Sequence, residues 1–327
     1  MGKIEREKRK SRLIRLIILS VVAIVLINLA IKLPVIYREF NNPFPRFAEE
    51  NKKTQSLNTS FRTNYLLLSY EANRLVDAAV ASLEPLDKKV SLLLFDLPNN
   101  KNIRLSTNKV FREGGIEGLG QHVSVSLGII LDRYVAFEND AVRFTSPNIQ
   151  DTHEQFKSTS VFLRAFSIRR DLDDNLKTNF STAELFSLFW KIRSSELDEK
   201  NIILVTDLNV KDLADEKLSE LVNNFFFDRD ILEEAATVSI RNSSGVVGTG
   251  SALASILSNL GAVVVEVDTG EDISEESLLI IRNKKPKVEE RISNLLKFDK
   301  KGSNEDDFAG DILINLGKNA TDELTLP

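Results

Sequence analysis

The chain contains no cysteine and only two histidines, His122 and His153, in 327 residues. Without cysteine it forms neither disulfides nor thiolate sites, and two histidines in unrelated contexts exclude a histidine-rich metal site. Composition leaves open only metal binding by carboxylates, for which no motif is present. The chemistry of this protein must therefore come from charged, amide and hydroxyl side chains.

Basic charge is scarce outside the N-terminus. Residues 1–15 carry seven basic and two acidic side chains, a net charge of +5, so the rest of the chain carries −10 within an overall charge of −5. Nucleic-acid binding requires a basic face, and we therefore expect no nucleic-acid partner. An anionic polymer bound at one local basic patch remains compatible with this balance.

One long hydrophobic run, Leu13–Leu33, stands out. A core helix is rarely so apolar on all sides, and the run lacks the small-residue cleavage site of a signal peptide. With Arg15 and Lys32 near its ends, it predicts an uncleaved membrane anchor. Basic residues are concentrated before the run, which predicts a cytoplasmic N-terminus and a large extracytoplasmic portion on a single-pass protein of the cell membrane.

Changes in composition predict five segments along the chain. They are a basic tail at 1–12, a transmembrane helix at 13–33, a proline-interrupted stalk at 34–60, a first folded domain at 61–234 and a second at 235–320. The two domains are long enough to bury ordinary cores.

The first domain opens with three short apolar runs, Tyr65–Leu68, Ala78–Leu83 and Val90–Leu97. Runs of this length suit strands buried on both faces, although Ala78–Leu83 fits a helix equally well by periodicity. Further along we expect a polar connection over 99–115, a helix over 116–131, a strand over 133–137, a loop over 145–159, helices over 160–175 and 182–198, a strand over 201–206 and a helix over 217–232.

The second domain shows the order β-α-β-β-α-β in about 80 residues, which is typical of a small split βαβ sandwich. Its first strand and helix are joined by a glycine-rich turn containing Gly245, Gly248 and Gly250, and residues 298–310 are expected to form a polar loop. The fold class is therefore α/β in both domains.

Two stretches resemble a known family. Asn64–Pro98 is similar to the opening of the LytR-CpsA-Psr domain, with its Arg-x-Asp and Pro-Arg-Asp segments, and Asn108–Gly115 falls where that family has a glycine pair. TVSIRNSSGVVGTGSALASILSNLGAVVVEV and DILINLG resemble the LytR C-terminal domain. The resemblance implies an α/β/α domain with a mixed central sheet, followed by a small βαββαβ domain.

The resemblance also implies a function. Family members are membrane-bound extracytoplasmic phosphotransferases that move glycopolymers from a polyprenyl-pyrophosphate carrier to peptidoglycan. Arginines clamp the pyrophosphate, because a guanidinium supplies permanent charge and paired donors, and an aspartate helps to hold a metal such as Mg²⁺.

This sequence departs from the family pattern where the arginines are expected. Pro98 is followed by Asn99 and Asn100 instead of arginine and aspartate, and the arginine-and-aspartate cluster expected over 145–165 is missing. Losing one such clamp costs roughly 10²–10³ in rate. Asp77 matches the family's first aspartate, but Arg74 is displaced by one residue, and Asp77 alone fits a strand-end surface residue better than a metal ligand.

The glycine-rich turn has two interpretations. Its backbone amides could cradle a phosphate, and Asn242, Ser243 and the amides at Gly245, Gly248 and Gly250 could bind sugar hydroxyls. The turn matches neither of the common phosphate-binding glycine motifs, and a tight turn that needs glycine for backbone geometry is the favoured interpretation.

Three function hypotheses follow. The favoured one is a non-catalytic, membrane-anchored binding or scaffold protein of the cell envelope, with a cell-wall glycopolymer or a polyprenyl-phosphate lipid as partner and no cofactor. The second is an active glycopolymer phosphotransferase that uses Mg²⁺ with Asp77, Arg74, Arg104 and Arg112. A transcriptional attenuator is the third, and the external placement of the folded domains argues against it. Arg104, Lys109 and Arg112 form the best remaining basic cluster for an anionic ligand.

Overall fold

The computed structural model describes residues 62–138, 142–157, 176–205, 222, 224–302 and 308–320. The predicted tail, anchor and stalk lie outside this part of the chain, as does the helix expected over 160–175. None of the helices within the described ranges is long and apolar enough to cross a membrane.

The first unit is built on a mixed six-stranded sheet with the strand order β5-β4-β1-β2-β3-β6. Strand β1 pairs antiparallel with β2 and parallel with β4, and β3 pairs parallel with β6. The second apolar run is thus a strand. The strands are β1 (Thr63–Glu71), β2 (Arg74–Glu84), β3 (Lys89–Phe95), β4 (Arg133–Glu138), β5 (Leu176–Thr178) and β6 (Ile202–Val205).

Helices cover both faces of this sheet. The long helix α1 (Lys101–Leu127) packs Ile103, Phe111 and Leu119 on one face, against a core that includes Leu66, Leu68 and Leu93. Helices α2 (Ser146–Lys157) and α3 (Thr182–Ser194) cover the opposite face, where Leu185 and Leu188 pack against Leu92 and Leu94. The expected α/β/α arrangement with a mixed sheet is therefore present.

Two predictions of irregular structure in this unit were wrong. The polar connection expected over 99–115 is the first half of α1, because Asn100 caps the helix by accepting hydrogen bonds from the amides of Asn102 and Ile103. The helix is interrupted at Gly115, whose φ of 62° lies in the left-handed region that favours glycine. The loop expected over 145–159 contains α2, which is too polar to show a strong periodic signal.

Helix α3 begins at Thr182, the first residue of the helix predicted over 182–198. Ser181 is the cap, and its hydroxyl accepts from the amide of Glu184 while the Glu184 carboxylate accepts from the amide of Ser181. This is a complete capping box with the usual spacing of three residues.

The second unit is a five-stranded sheet with the order β10-β9-β11-β7-β8. The predicted β-α-β-β-α-β order is correct, but residues 299–302, expected in a loop, add strand β10 beside β9. The elements are β7 (Thr237–Asn242), α5 (Thr249–Asn259), β8 (Val263–Thr269), β9 (Leu278–Ile281), α6 (Pro286–Leu296), β10 (Asp299–Gly302) and β11 (Ile312–Leu316), preceded by the short helix α4 (Arg229–Glu234). Asp228 caps α4, so a helix starts inside the segment expected to be one continuous helix over 217–232.

The two units share part of their packing at a joint. Val125 and Ile130, which lie near the end of α1, belong to the core of the second unit. Between them Gly128 ends α1 with a φ of 61°, and a Cβ at this position would lie 3.0 Å from Asn259 Cβ and from the Ile256 carbonyl oxygen. We use the name joint for this contact together with the charged groups around Arg291 described next.

Charged groups complete the joint. The Arg291 guanidinium of α6 lies 2.6 Å from an Asp132 oxygen, 3.2 Å from Asp228 and 3.4 Å from Asp230. Asp132 precedes β4 in the first unit and also accepts from the amide of Asn64. Arg291 therefore ties the C-terminal unit to the first one through buried ion pairs.

Candidate functional site

A cleft opens at one end of the first sheet, where three strands bring polar side chains together. Because β1 and β4 are parallel, their carboxyl ends meet, and Tyr70 pairs directly with Glu138. Strand β5 runs antiparallel beside β4 and brings Lys177 opposite Ala136. Ala136 lies two residues before Glu138, so Lys177 and Glu138 are on the same face of the sheet. The sheet topology thus collects a phenol, a carboxylate and an ammonium group at one edge.

Helix α1 forms the other wall of the cleft. Its interruption at Gly115 places Arg112 and Glu117 beside the strand ends. The cleft has a volume of about 510 Å³ and is open to solvent, and its charged and aromatic lining consists of Tyr70, Phe111, Arg112, Glu117, Tyr134, Glu138 and Lys177.

The strand side of the cleft holds a small polar network. Tyr70 Oη donates to Glu138 Oε2 across 3.4 Å, and Lys177 Nζ lies 3.7 Å from the same oxygen. The ammonium group of Lys177 also lies 5.1 Å from the centre of the Tyr70 ring, and that ring packs at 5.5 Å against Phe111. These contacts orient Lys177 while leaving its charge partly accessible to solvent.

Tyr70 and Lys177 in the cleft both keep their protons at physiological pH. Burial raises the pKa of the Tyr70 hydroxyl, so it stays a neutral donor at physiological pH. Its hydrogen bond with Tyr70 raises the pKa of Lys177, which stays charged. Together with Arg112, the cleft therefore offers two cations and a hydroxyl, with Glu138 and Glu117 as the opposing charges.

Asp77 does not lie on the surface, contrary to the sequence-based interpretation. It is the fourth residue of β2, opposite Ser69, and only 3% exposed. Its carboxylate accepts from the amides of Ala78 and Phe144. Burial raises the pKa of the Asp77 carboxyl and nearby Asp96 adds to the rise, whereas the two amides and Arg143 oppose it.

The other candidate residues of the transferase hypothesis are spread apart. Arg74 is the first residue of β2 and pairs with Glu71, the last residue of β1, on an exposed surface. Arg104 is exposed on the first turn of α1, where its carbonyl accepts from Asn108. Among the four candidates in the described ranges, Arg112 alone lines the cleft, so the structure does not bring Asp77, Arg74, Arg104 and Arg112 into one site.

Asn99 and Asn100 have structural roles at the position where arginine and aspartate were expected. Asn100 is the N-cap of α1, and Asn99 donates to Asp96 across 2.9 Å. Lys157, which lies within the segment where the arginine-and-aspartate cluster was expected, pairs with Glu154 on the exposed end of α2. These side chains are engaged in caps and local ion pairs.

Carboxylate donors do not gather into a metal site in the part of the chain that the structure describes. Within those ranges, no three histidine, aspartate or glutamate side chains are close enough to hold an ion. Both oxygens of Asp77 already accept backbone hydrogen bonds. The described residues therefore do not fit the Mg²⁺ that the transferase hypothesis implies.

The glycine-rich turn of the second unit is held by its own side chains. Asn242 donates to the Val246 carbonyl and accepts from Ser244, while the Ser243 hydroxyl donates to Asn315. Gly245 and Gly248 have φ values of 80° and 93°. A Cβ at Gly250 would lie 3.2 Å from Val267, so this glycine permits close packing. The turn thus uses glycine for backbone geometry, and the side chains of Asn242 and Ser243 form hydrogen bonds within the unit.

Six of the seven charged and aromatic residues that line the cleft were missed in the sequence: Tyr70, Phe111, Glu117, Tyr134, Glu138 and Lys177. Tyr70 and Glu138 each stand near the end of an apolar strand, which is a weak signal for an edge site. Lys177 lies in a three-residue strand with no sequence pattern of its own, and only the pairing of β5 with β4 brings it to the cleft.

Comparisons with known proteins give only partial likenesses. No protein-family model and no curated protein matches the chain. Among solved structures, TagV of B. subtilis is 15% identical and covers 45% of this chain and 84% of its own, with a TM-score of 0.33. TagT bound to LIIa-WTA is 14% identical and covers 47% of this chain and 82% of its own, with a TM-score of 0.31. Protein gbs0355 of Streptococcus agalactiae is 11% identical and covers 47% of this chain and 80% of its own, with a TM-score of 0.34. Likenesses of this strength establish neither family nor function.

Proposed function

We propose that this protein is a non-catalytic binding or scaffold protein of the cell envelope, which holds an anionic glycopolymer at the cleft. The observation that carries the proposal is that Asn99 and Asn100 have structural roles. They stand where the family that this chain resembles has arginine and aspartate. Asn100 caps a helix and Asn99 donates to Asp96. An amide there supplies no charge for a pyrophosphate leaving group.

The side chains that line the cleft are suited to binding a glycan. Arg112 and Lys177 can donate charged hydrogen bonds to the phosphate or acidic groups of a glycan, and Glu117 and Glu138, which balance the two positive charges, can accept from its hydroxyl groups. Tyr70 provides a neutral donor beside them. Tyr134 and Phe111 add aromatic surface to the same walls. A polyprenyl-phosphate lipid, with or without an attached glycan, presents the same anionic phosphate group.

Membrane attachment is part of the proposal. The apolar run over 13–33 would anchor the chain, with the basic tail in the cytoplasm and the folded units outside. A protease added to intact cells should therefore degrade the folded units while sparing the tail. Survival of the folded units under those conditions, with degradation after cell lysis, would contradict this topology.

A binding measurement tests the role of the cleft. We expect the purified full-length protein to bind a phosphate-bearing wall glycopolymer, and Arg112→Gln or Lys177→Gln to weaken binding about tenfold each, because each removes a charge-assisted hydrogen bond. Arg229→Gln is the matched control, since Arg229 pairs with Glu233 on α4, away from the cleft. Equal affinity in all four proteins would exclude the cleft as the binding site.

The alternative is an active glycopolymer phosphotransferase, and one observation favours it. Asp77 is a buried carboxyl with a raised pKa beside Asp96, and such groups are enriched in active sites. Incubation with a polyprenyl-pyrophosphate-linked glycan and Mg²⁺ distinguishes the two functions. Transfer or pyrophosphate hydrolysis that is lost in Asp77→Asn would overturn the non-catalytic proposal, whereas retention of the glycan without turnover would support it.

A further inference from the structure

The exposed side of the first half of α1 is strongly basic. Lys101, Arg104, Lys109 and Arg112 are all exposed, and Glu113 is the only acidic residue between positions 101 and 115. At about 100° per residue, the four basic side chains fall within roughly 140° of the helix circumference. We call these four residues the basic face of α1.

The basic face has a fixed position on the first unit. Asn100 caps the start of α1. In the middle of this half, the Asn108 side chain accepts from the Leu75 amide across 3.0 Å and donates to the Leu75 carbonyl across 3.4 Å. Ile103 and Phe111, on the other side of the helix, are buried in the core of the sheet. Because the helix is already held in place, binding a ligand on the basic face orders little of the backbone.

The positive charge of the basic face is not compensated in the part of the chain that the structure describes. Within those ranges, the ion pairs of the first unit involve other basic residues and no member of the basic face. In the cleft, by contrast, Glu117 and Glu138 balance the charges of Arg112 and Lys177. The excess positive charge therefore lies along α1, outside the cleft.

The basic face leads out of the cleft. Arg112 belongs to both, because it lines the cleft three residues before the interruption of α1 at Gly115. Lys109 lies about one helical turn before Arg112, and Lys101 lies roughly 16 Å from Arg112 along the helix axis. Gly114 also lines the cleft, and a Cβ at either glycine would meet no atom beyond its chain neighbours within 4 Å. A chain bound in the cleft can therefore continue along α1 without obstruction at the two glycines.

This arrangement fits a linear polyanion better than a membrane surface. A helix that enters the lipid interface needs a broad apolar face. Among residues 101–114, all of which the structure describes, Leu105 is the only exposed large apolar residue. Cations repeated along an axis instead match phosphate groups repeated along a chain, and each such contact releases a counterion and adds to affinity.

Building on the glycan binding proposed for the cleft, we propose that the basic face of α1 binds further repeats of the same glycopolymer, which carries a phosphate in each repeat. The cleft would hold one segment of the polymer, and Lys101, Arg104 and Lys109 would contact the phosphates of the repeats beside it. Long chains would then bind more tightly than short ones, because additional contacts form within one bound molecule.

Glycerol-phosphate oligomers of different length test this proposal. The probes have about two and about eight repeats, and their affinities for the full-length protein are measured in a neutral detergent. We expect the long oligomer to bind at least about thirtyfold more tightly, beyond the roughly fourfold advantage of offering more repeats to the cleft. Combining Lys101→Gln, Arg104→Gln and Lys109→Gln should reduce the preference to about fourfold while leaving the affinity of the short oligomer unchanged.

A matched variant controls for the loss of three charges. It combines Lys284→Gln, Lys300→Gln and Lys301→Gln, which replace exposed lysines of the second unit, and it should keep the full preference. An equal preference in the wild type and the α1 variant would overturn the proposal. Binding of both oligomers with only the fourfold difference, weakened by Lys177→Gln, would reject the basic face and leave the function of the cleft intact. No binding of either oligomer would overturn both.

Acetylation of lysines, measured by mass spectrometry, locates the contact. The long oligomer should slow acetylation of Lys101 and Lys109, whereas the short one should not, and Lys300 and Lys301 should react at the same rate throughout. Protection of Lys101 and Lys109 by micelles containing phosphatidylglycerol, without protection by the long oligomer, would overturn the proposal in favour of a lipid surface. Protection that grows with protein concentration alone would overturn it in favour of a second copy.

Discussion

The joint between the two units and the cleft of the first unit contain the same kinds of charged side chain, but water reaches them to different extents. In the joint, Arg291 lies among three carboxylates, of which Asp132 and Asp228 are 4% and 7% exposed. In the cleft, the Lys177 and Glu138 side chains are 35% and 47% exposed. Burial makes the first cluster part of the architecture, while exposure leaves the second available to a ligand.

The physical reason is the cost of desolvation. A buried charge that loses its partner has no water to replace it, so every member of the joint depends on the others. An exposed charge exchanges its protein partner for water at little cost, and the pair contributes little to stability. The same kinds of charged side chain can therefore hold two units together when they are buried, or remain available to a ligand when they are exposed.

Arg291→Ala should give the largest effect. It removes the cation from buried Asp132 and Asp228, and we expect a loss of about 3–5 kcal/mol in the free energy of unfolding, measured by urea denaturation. Lys287→Ala is the control, because Lys287 pairs with Asp230 at the exposed rim and should cost less than about 1 kcal/mol. Similar losses in the two variants would remove the distinction between buried and exposed charge.

Gly128→Ala should destabilise the joint by about 2–4 kcal/mol, since it combines a left-handed backbone with a methyl group crowded against Asn259 and Ile256. Gly118→Ala is the matched control within the same helix. Its Cβ would meet only the Val110 carbonyl at 3.7 Å, and the higher helix propensity of alanine should stabilise by up to about 1 kcal/mol. A neutral Gly128→Ala would show that the units do not pack this closely.

The pH dependence of stability should reveal the buried Asp228. Burial raises the pKa of Asp228 to about 6 from 3.8, against the opposing charge of Arg291 and with Asp132 and Asp230 adding to the rise. The folded state therefore binds the proton more tightly than the unfolded state. This contribution to stability is fully present below 3.8 and is lost as the pH rises through about 6.

We therefore compare the wild type with Asp228→Asn by urea unfolding between about pH 4 and pH 7. Between those limits the wild type should lose on the order of 1–3 kcal/mol more than the variant. Asparagine keeps an acceptor for the Ile231 amide at the helix cap, so the difference isolates the titration. Parallel pH curves for the two proteins would contradict a raised pKa at Asp228.

Lys177→Ala should have the smallest effect on stability and the clearest effect on binding. Because its contacts with Glu138 and Tyr70 are partly exposed, we expect a change below about 1 kcal/mol in the free energy of unfolding. A loss as large as that of Arg291→Ala would show that the cleft cluster is structural, and would weaken its assignment to ligand binding.

The apolar strands of the first unit and the element order of the second unit could be predicted from the sequence, whereas strands β5 and β10 and the candidate site could not. Apolar runs such as Val90–Leu97 report burial directly, whereas polar α2 and the first half of α1 carry few apolar residues, and so their helices were missed. Asp77 was expected at the surface, as an isolated aspartate at the end of a strand. Its burial depends on amides of Ala78 and Phe144, and Phe144 lies 67 residues away.

The sequence by itself determined the α/β class, the order of elements in the second unit and the glycine requirement of its turn, because these depend on local periodicity and backbone conformation. It also predicted the membrane anchor, from hydropathy alone. Only the tertiary structure brought Lys177 to Tyr70 and Arg291 to Asp132, because strand pairing and packing between units join residues far apart in the chain. Whether a charged side chain stabilises the fold or is available to a ligand depends on its burial. Burial depends on contacts between residues far apart in the chain, which no local sequence pattern reveals.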